Sequence, residues 1–283
     1  MGRPKVGHIQ YLNCLPLYYG LVKNGIILDV ELTKGTPTEL NRLLIEGELD
    51  ISPISAIEYA KNADKLALLP KLTVSSDGEV KSILLVSKVP AGDLAGGMVA
   101  LANTSRTSQA LVKVILKEGY GADPEYFECP PDLGSMLLEA DAALLIGDPA
   151  LRALYEAREL HIYDLGSEWK ALTGRRMVYA VWGVRKEYAR KHPAIVGEVY
   201  RGFLSSMKYS VSNVGAIAKD ASRWEPFDST FLEDYFLSLK FDFDDDYQAD
   251  FLFFLQKVKE LGYIDAVPEL EFFDVGESDG RLD

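Results

Sequence analysis

The sequence is poor in the residues from which metal sites, disulfide frameworks and most covalent catalytic groups are built. Its 283 residues include two cysteines, Cys14 and Cys129, and three histidines, His8, His161 and His192. The cysteine spacing fits no metal-binding motif, and so few thiols are typical of a reducing cytoplasm. The sequence also has no HExxH motif, Walker loop, GxGxxG loop or Ser-His-Asp arrangement. We therefore expect no metal and no other cofactor, and covalent catalysis and nucleotide binding lose support.

Long apolar runs are also missing. Ile83–Val86 is typical of the runs present, far short of the roughly 18 residues that would suggest a membrane helix. The first residues, Met1–Val6, contain no apolar signal segment and lead almost directly into a strand pattern. We therefore expect a cytoplasmic protein with no membrane partner.

Basic residues are outnumbered by acidic ones, 30 to 43, which leaves a formal net charge of −13. Such a surface repels nucleic acid and anionic membranes, so neither is an expected partner. The same field opposes a small anion. An anionic ligand would have to be held by helix N-termini and a few placed cations.

What the sequence does contain is a regular alternation of strand and helix patterns. A weak strand pattern over Ile27–Leu32 precedes Gly35–Glu39, which is a strong helix start. Thr36 is the predicted N-cap, Pro37 occupies the first helical position, and Glu39 completes a capping box.

A second helix start is predicted at Ser52–Ser55, after the short strand Leu49–Ile51, so residues 1–65 have the order β-α-β-α-β-α. This order is typical of a parallel, doubly wound sheet. After the strand Ala142–Ile146, Asp148 is again the predicted cap and Pro149 the first helical residue. Two helix starts of the same kind suggest two similarly built lobes.

The remaining pattern changes along the chain. Further strands are predicted over Lys81–Ser87, Met98–Leu101, Tyr126–Cys129 and Met177–Val184. Helices are predicted over residues 193–222, Thr230–Leu239 and Asp245–Leu261. Ser75–Gly78 has the composition of a turn, and the acidic Glu269–Asp283 that of a loose tail.

The stretch His8–Gly20 begins as a strand and breaks into a polar, aromatic turn before a helix. Tyr11, Asn13 and Pro16 lie in this turn, and Pro16 prevents a continuing central strand because it has no amide proton. A turn of this kind is where an open α/β sheet places a ligand. An ordinary, well-packed β-α turn explains the same residues.

The run Asn103–Ser108 is the strongest indication of an anion site. Hydroxyl and amide side chains fill it apart from Arg106, and a helix follows. Hydroxyls and backbone amides at a helix N-terminus can hold a carboxylate or phosphate. Simple capping is the alternative here. It is also the alternative for Ser52 and Ser55, which could donate to a second anionic group.

Several runs in the right order resemble one known family. They are His8–Leu17, Gly35–Asn41, Leu49–Ser55, Thr104–Ser108, Ile146–Asp148 and Val178–Trp182. Over about the first 260 residues the chain resembles the chorismate dehydratase family, whose members open the futalosine route to menaquinone. The Arg175–Met177 stretch departs from the more apolar, proline-containing form expected of that family.

The resemblance implies an α/β, two-lobed type II periplasmic-binding-protein-like fold, each lobe being a mostly parallel sheet flanked by helices, with the ligand cleft between the lobes. Residues 1–86 plus 180–283 would form one discontinuous lobe, and residues 87–179 the other. The chain would cross between lobes near Lys81–Ser87 and Met177–Val184.

The reaction implied is the dehydration of chorismate, a dianion, to 3-[(1-carboxyvinyl)oxy]benzoate by a carbon–oxygen lyase. The resemblance assigns Asn13 to the reacting carbons, where it would orient the substrate or assist the departing hydroxyl. The proton could pass to the enolpyruvyl carboxylate of the substrate itself. The substrate-binding residues it implies are Tyr11, Ser52, Ser55, Ser82, Thr104, Ser105, Arg106, Thr107, Gly147 and Asp148.

Two rival functions remain open. The sister enzyme of the pathway, 1,4-dihydroxy-6-naphthoate synthase, converts cyclic dehypoxanthinylfutalosine on the same fold, but it relies on a histidine near Gly147 that this sequence lacks. A non-catalytic binding protein for a small anion is the other. The sequence does not indicate an oligomeric state.

Overall fold

The computed structural model describes residues 3–23, 29–156 and 159–275, and its strands form two separate sheets. In chain order the strands are β1 (Lys5–Ile9), β2 (Glu31–Gly35), β3 (Ile51–Ser55), β4 (Leu66–Ser76), β5 (Ile83–Ser87), β6 (Met98–Ala102), β7 (Glu125–Cys129), β8 (Ala142–Ile146), β9 (His161–Asp164), β10 (Met177–Arg185) and β11 (Leu239–Lys240). The first sheet has the order β11-β4-β10-β3-β1-β2 and the second β7-β6-β8-β5-β9.

Helices pack on both sheets. They are α1 (Leu15–Lys23), α2 (Pro37–Ile45), α3 (Ala56–Lys61), α4 (Arg106–Val114), α5 (Leu133–Glu139), α6 (Asp148–Glu156), α7 (Leu165–Thr173), α8 (Lys186–Lys191), α9 (Pro193–Val211), α10 (Val214–Ala221), α11 (Ser229–Ser238) and α12 (Asp245–Glu260). A 3₁₀ turn, Leu12–Cys14, precedes α1. Over the described ranges no helix has the length and apolar character needed to span a membrane.

The two sheets are mixed rather than mostly parallel. In the first, β1 runs parallel to β2 and β3, whereas β10 is antiparallel to β3 and β4. In the second, β6 is parallel to β7 and β8, whereas β5 is antiparallel to β8 and β9. The antiparallel pairs arise where the chain enters the second sheet, at β5, and where it returns to the first, at β10.

Each of those two strands pairs within one sheet only, so neither itself crosses between the sheets. The chain passes from one sheet to the other in residues 77–82 and returns through residues 165–176, which include α7. The division into lobes at residues 86/87 and 179/180 remains a proposal.

The main core extends from the first sheet and its helices into the second sheet, where it includes Val99 and Leu144. Trp182 of β10, Tyr59 of α3, and Phe251 and Phe254 of α12 are fully buried there. A second cluster, which includes Leu84, Val86 and Leu145, covers one face of the second sheet.

The prediction that a helix begins at Ser52-Pro53 is wrong. Ile51–Ser55 is the fully buried strand β3, and α3 begins only at Ala56. Pro53 is tolerated in this interior strand because the β1–β3 ladder is formed at Val6 and Ile51, so Pro53 lies beyond its end.

Other predictions differ at element ends. The strand predicted over Ile27–Leu32 falls partly on residues 24–28, which lie outside the described residues; the described strand is Glu31–Gly35. Ser75 and Ser76, predicted in a turn, are buried at the end of the 11-residue β4. The helix predicted over residues 193–222 is two helices, α9 and α10.

The predicted loose tail is ordered as far as it is described. Leu68 donates its N–H to the carbonyl of Glu271, and Phe273 donates to the carbonyl of Leu68. Residues 276–283 of the predicted tail lie outside the described residues.

Candidate active site

A cavity between the two sheets is lined by residues from both. It brings together part of the set predicted from sequence, namely Tyr11, Asn13, Ser55, Ser82, Ser105 and Gly147. These side chains come from the ends of β1 and β3, the start of β5, the cap of α4 and the end of β8. The cavity therefore lies where the strand ends of the two sheets face each other.

Tyr11 and Gly147 form one wall through a close contact between the sheets. Gly147 has φ +65°, and a Cβ added to it would lie 2.7 Å from the Tyr11 ring. Only glycine meets both conditions, the positive φ and the space for the ring. The prediction that these two positions belong to one site fits this contact.

Asp148, beside Gly147, was predicted to cap the helix that follows it, but it does not. Its carboxylate Oδ1 accepts the Leu12 N–H at 3.0 Å, so it binds the turn that carries Asn13. Burial raises the pKa of Asp148 to about 6, and the Leu12 N–H offsets part of that rise. Asp148 is not among the residues that line the cavity.

Asn13 lies in the 3₁₀ turn Leu12–Cys14 and lines the cavity. Its amide oxygen is buried and has no hydrogen-bond partner in the described part of the chain. A buried acceptor without a donor is uncommon in a native protein because it loses the hydrogen bond that water would supply. The position suits a ligand that brings its own O–H or N–H donor.

Ser55 is held by Asn41, a cavity residue that the sequence predictions missed. The Asn41 amide donates to Ser55 Oγ at 3.0 Å and accepts the Ser55 N–H at 3.1 Å. A signal was present, because Asn41 lies three residues before the buried Leu44 and so shares the inner face of α2.

Ser105 and Ser108 form the polar end of the cavity contributed by the second sheet. Ser105 is the N-cap of α4, and its hydroxyl accepts the Ser108 N–H at 3.3 Å. The two hydroxyl oxygens are 3.1 Å apart. Ser108 was not singled out from sequence, although a first-turn serine on the side of a serine cap is a suitable second donor.

Several predicted residues lie elsewhere. The Ser52 hydroxyl donates to the carbonyl of Pro53 and is buried against Gly7. The Thr107 hydroxyl accepts the Ile57 N–H at 3.3 Å, which joins α4 to α3. The structure thus gives Ser52 and Thr107 internal partners in place of the cavity.

Arg106 and Thr104 also lie outside the lining. Arg106 has a side chain that is 52% exposed and lies 3.4 Å from Glu128. Thr104 is half-buried, and its side chain contacts that of Tyr11, which lines the cavity. The cation expected to hold an anion is therefore directed toward solvent.

No residue that lines the cavity, within the described ranges, carries a formal charge. An anion in it would be held by hydroxyls, amides and the N-terminus of α4. His8 does not contribute, because its ring stacks on Tyr18 with centroids 3.7 Å apart. Burial lowers the pKa of His8 to about 4, so it is neutral.

The architecture matches solved structures that include a periplasmic binding protein. A protein of Archaeoglobus fulgidus superposes with a TM-score of 0.74 at 20% identity, covering 93% of this chain and 98% of that one. The periplasmic aliphatic sulphonate binding protein of Escherichia coli gives 0.67 at 14% identity, covering 99% and 96%. These similarities confirm the predicted class, a two-lobed periplasmic-binding-protein-like fold.

Sequence similarity is more specific. The family model described as menaquinone biosynthesis matches residues 4–260. A chorismate dehydratase of Thermus thermophilus is 37% identical over 202 residues, which are 65% of this chain and 71% of that protein. The chain belongs to the menaquinone biosynthesis family, as its sequence resemblance predicted.

Proposed function

We propose that this protein is a carbon–oxygen lyase that dehydrates chorismate to 3-[(1-carboxyvinyl)oxy]benzoate, the first step of the futalosine route to menaquinone. Membership in the menaquinone biosynthesis family and a relative named chorismate dehydratase support the proposal. The observation that carries it is the buried, unpartnered amide oxygen of Asn13 in a cavity without charged side chains. This acceptor suits the ring hydroxyl that the reaction removes.

The reaction removes a proton from C3 of the ring and hydroxide from C4. The electron pair of the C3–H bond becomes part of the aromatic ring as the C4–O bond breaks, and the proton and hydroxide leave as water. Charge that develops on the ring carboxylate is stabilised by fixed hydrogen-bond donors around it.

The cavity residues divide into two roles in this proposal. Asn13 accepts a hydrogen bond from the C4 hydroxyl and fixes its direction. Ser105 and Ser108 hold one carboxylate at the N-terminus of α4, and Ser55 and Ser82 hold the other end of the substrate.

The base is the enolpyruvyl carboxylate of the substrate in this mechanism. An amide such as Asn13 is too weak a base, and the described cavity residues include no histidine or carboxylate. The protein then acts chiefly by positioning, which can supply a large part of a rate enhancement.

A direct assay tests the function. The purified protein is incubated with chorismate, and the mixture is analysed for loss of one water by mass spectrometry and for the aromatic ring by ultraviolet absorbance. We expect quantitative conversion to the aryl ether. Binding of chorismate in calorimetry without product would instead favour a binding protein and overturn the proposal.

Arg106→Gln is the matched control for that assay. Its guanidinium lies outside the cavity beside Glu128, so the variant should convert chorismate at the wild-type rate. A strong loss of turnover in this variant would return Arg106 to the site.

We propose further that the protein acts in the cytoplasm. Both cysteines are free, Cys14 in the core and Cys129 half-buried, which suits a reducing compartment.

A further inference from the structure

A strained turn presents Ser82 to the cavity. The Ser82 N–H donates to the carbonyl of Val80 at 2.7 Å, and Lys81 between them has φ +61°. A three-residue γ-turn with a positive central φ is rare and strained, and lysine is poorly suited to it. Ser82 then lines the cavity, and its carbonyl accepts the Gly147 N–H at 2.7 Å.

One carboxylate holds this turn. Asp164 Oδ2 accepts the Lys81 N–H at 2.6 Å, and both of its oxygens lie 3.1 Å from the Val80 nitrogen. Asp164 Oδ1 also accepts the Gly166 and Ser167 N–H groups at 3.0 Å, which caps α7. The same side chain therefore holds the end of the outward crossing between the sheets and the start of the returning one.

The contacts of Asp164 exceed those of an ordinary helix cap. Asp132 and Asp244 each cap a helix and bond to that helix alone, whereas Asp228 accepts one further hydrogen bond, from the Tyr155 hydroxyl, and none from a second backbone segment. In Asp164, Oδ1 is sufficient for the cap, whereas Oδ2 is bonded only to the turn. Burial raises the pKa of this carboxyl, and the hydrogen bonds from Ser167, Lys81 and Val80 offset part of that rise.

We propose that Asp164 is a positioning residue, which holds the strained turn at Lys81 so that Ser82, whose hydroxyl donates to the Val80 carbonyl within that turn, stays in the cavity lining. The inference rests on the proposed function where it takes Ser82 as a substrate ligand. A strained backbone at a site persists only where the surrounding structure determines it, and Asp164 supplies that constraint.

Asp164→Asn tests the role selectively. The amide keeps one oxygen for the α7 cap, since asparagine caps as well as aspartate, but its NH₂ group cannot accept from Lys81. We expect kcat to fall by about 10- to 100-fold, the effect of a displaced catalytic contact, while KM changes by less than about threefold. Asp244→Asn, which alters only the cap of α12, should leave both constants unchanged.

A second substitution separates positioning from a general structural effect. Lys81→Gly accepts the positive φ without strain, so Asp164→Asn/Lys81→Gly should recover most of the lost kcat. Lys81→Ala removes the same ammonium group, with its contacts to Glu79 and Asp234, but keeps a Cβ. Asp164→Asn/Lys81→Ala should therefore not recover the lost kcat. Equal behaviour of the two double variants would overturn the proposal.

Hydrogen exchange provides a measure that needs no substrate. In Asp164→Asn the Gly147 amide, which bonds to the Ser82 carbonyl, should exchange at least about tenfold faster, and Lys81→Gly should restore its protection. If wild-type protein leaves chorismate unchanged but this exchange pattern holds, the proposed reaction fails and the positioning role stands. Unchanged exchange together with unchanged kcat in Asp164→Asn refutes the positioning role.

Discussion

At the scale of single residues, Asn13 makes the most direct prediction. Asn13→Ala removes the unpartnered amide oxygen that faces the cavity. Because this contact orients the reacting hydroxyl, we expect kcat to fall by about 100-fold or more, the usual effect of losing one fixed polar contact to the reacting centre. KM should stay within about threefold, as steady-state kinetics with chorismate would show.

Asn62→Ala, which removes a hydrogen bond to Glu58 far from the cavity, is the control. Unaltered kcat in Asn13→Ala would contradict the role.

Asp148 predicts a pH-dependent stability. Its pKa is about 6 in the folded protein against the ordinary 3.8, so the folded state binds the proton more tightly. The ionised carboxylate therefore lowers stability above pH 6, and this penalty is lost as the pH falls through about 4.

Asp148→Asn should accordingly be more stable than wild type at pH 8 by about 1 to 3 kcal/mol, at 1.36 kcal/mol per pKa unit. The gain should vanish at pH 4. Thermal unfolding at both values measures it. In Asp132 the Ser135 hydrogen bonds lower the pKa, so Asp132→Asn should show no gain at pH 8. A wild type that is more stable than Asp148→Asn at pH 8 would exclude the burial penalty.

The candidate site could be predicted from sequence only in part, for reasons visible at single residues. The run Asn103–Ser108 was recognisable because hydroxyl side chains are favoured at helix starts, and Ser105 of that run is the cap of α4. Ser52 was not, because strand side chains alternate, and its position in β3 turns it toward Gly7 and away from the cavity. Arg106 shows the same limit on a helix, where direction depends on what packs against it.

At the scale of elements, local capping signals were reliable and proline was ambiguous. The capping box of Thr36 and Glu39 with Pro37 at the first position of α2 is confirmed. Pro53 suggested another helix start but lies in β3. A proline at the first helical position and one beyond the end of a ladder look alike in sequence, because both lack only an unused N–H. Tertiary pairing decides between them.

The junction between β8 and α6 predicts a stability effect with two separable causes. Gly147→Ala places a methyl group 2.7 Å from the Tyr11 ring at φ +65°. The backbone strain costs about 1 kcal/mol and the overpacking about 1 to 3 kcal/mol more. Denaturant unfolding should therefore show a loss of about 2 to 4 kcal/mol.

Gly174→Ala isolates the first cause, since its φ is +73° with no atom within 4 Å of an added Cβ. It should lose only about 1 kcal/mol. In a Tyr11→Ala background the cost of Gly147→Ala should fall to that same value. A cost that is independent of Tyr11 would show that the ring yields freely.

At the scale of the whole molecule, the two halves touch at several points around the cavity. Leu12 donates to Asp148, Ile57 donates to Thr107, and Thr38 donates to the carbonyl of Asn103. The two-lobed fold was accessible from sequence through family resemblance and β-α order. These contacts could not be predicted from sequence. Each joins residues about 50 to more than 100 positions apart through packing that no local pattern encodes.

The Thr107 contact joins the two halves, and it predicts how strongly their closing together on a ligand, here called closure, contributes to binding. Thr107→Val keeps the shape but leaves the Ile57 N–H unpaired in the closed form, which favours opening by about 1 kcal/mol. KM should rise about fivefold with kcat unchanged, and small-angle scattering of the free protein should show a larger radius of gyration. Ser222→Ala, which removes an exposed hydroxyl bonded to the Lys219 carbonyl, should change neither. If Thr107→Val has the same KM and the same radius of gyration as wild type, closure does not depend on this contact.

The charge of the whole molecule sets the direction of the salt effect. The net charge is −13, and no described cavity residue is charged, so a dianion approaches against repulsion that no local cation cancels. The Debye length shortens from about 30 Å at 0.01 M salt to about 8 Å at 0.15 M, which screens most of that repulsion. We therefore expect kcat/KM for chorismate to rise several-fold over this range, with the same slope in sodium and potassium chloride. A fall in kcat/KM with salt would require an attractive cation near the entrance, and Arg106→Gln, which removes the exposed arginine at the start of α4, would test whether Arg106 supplies it.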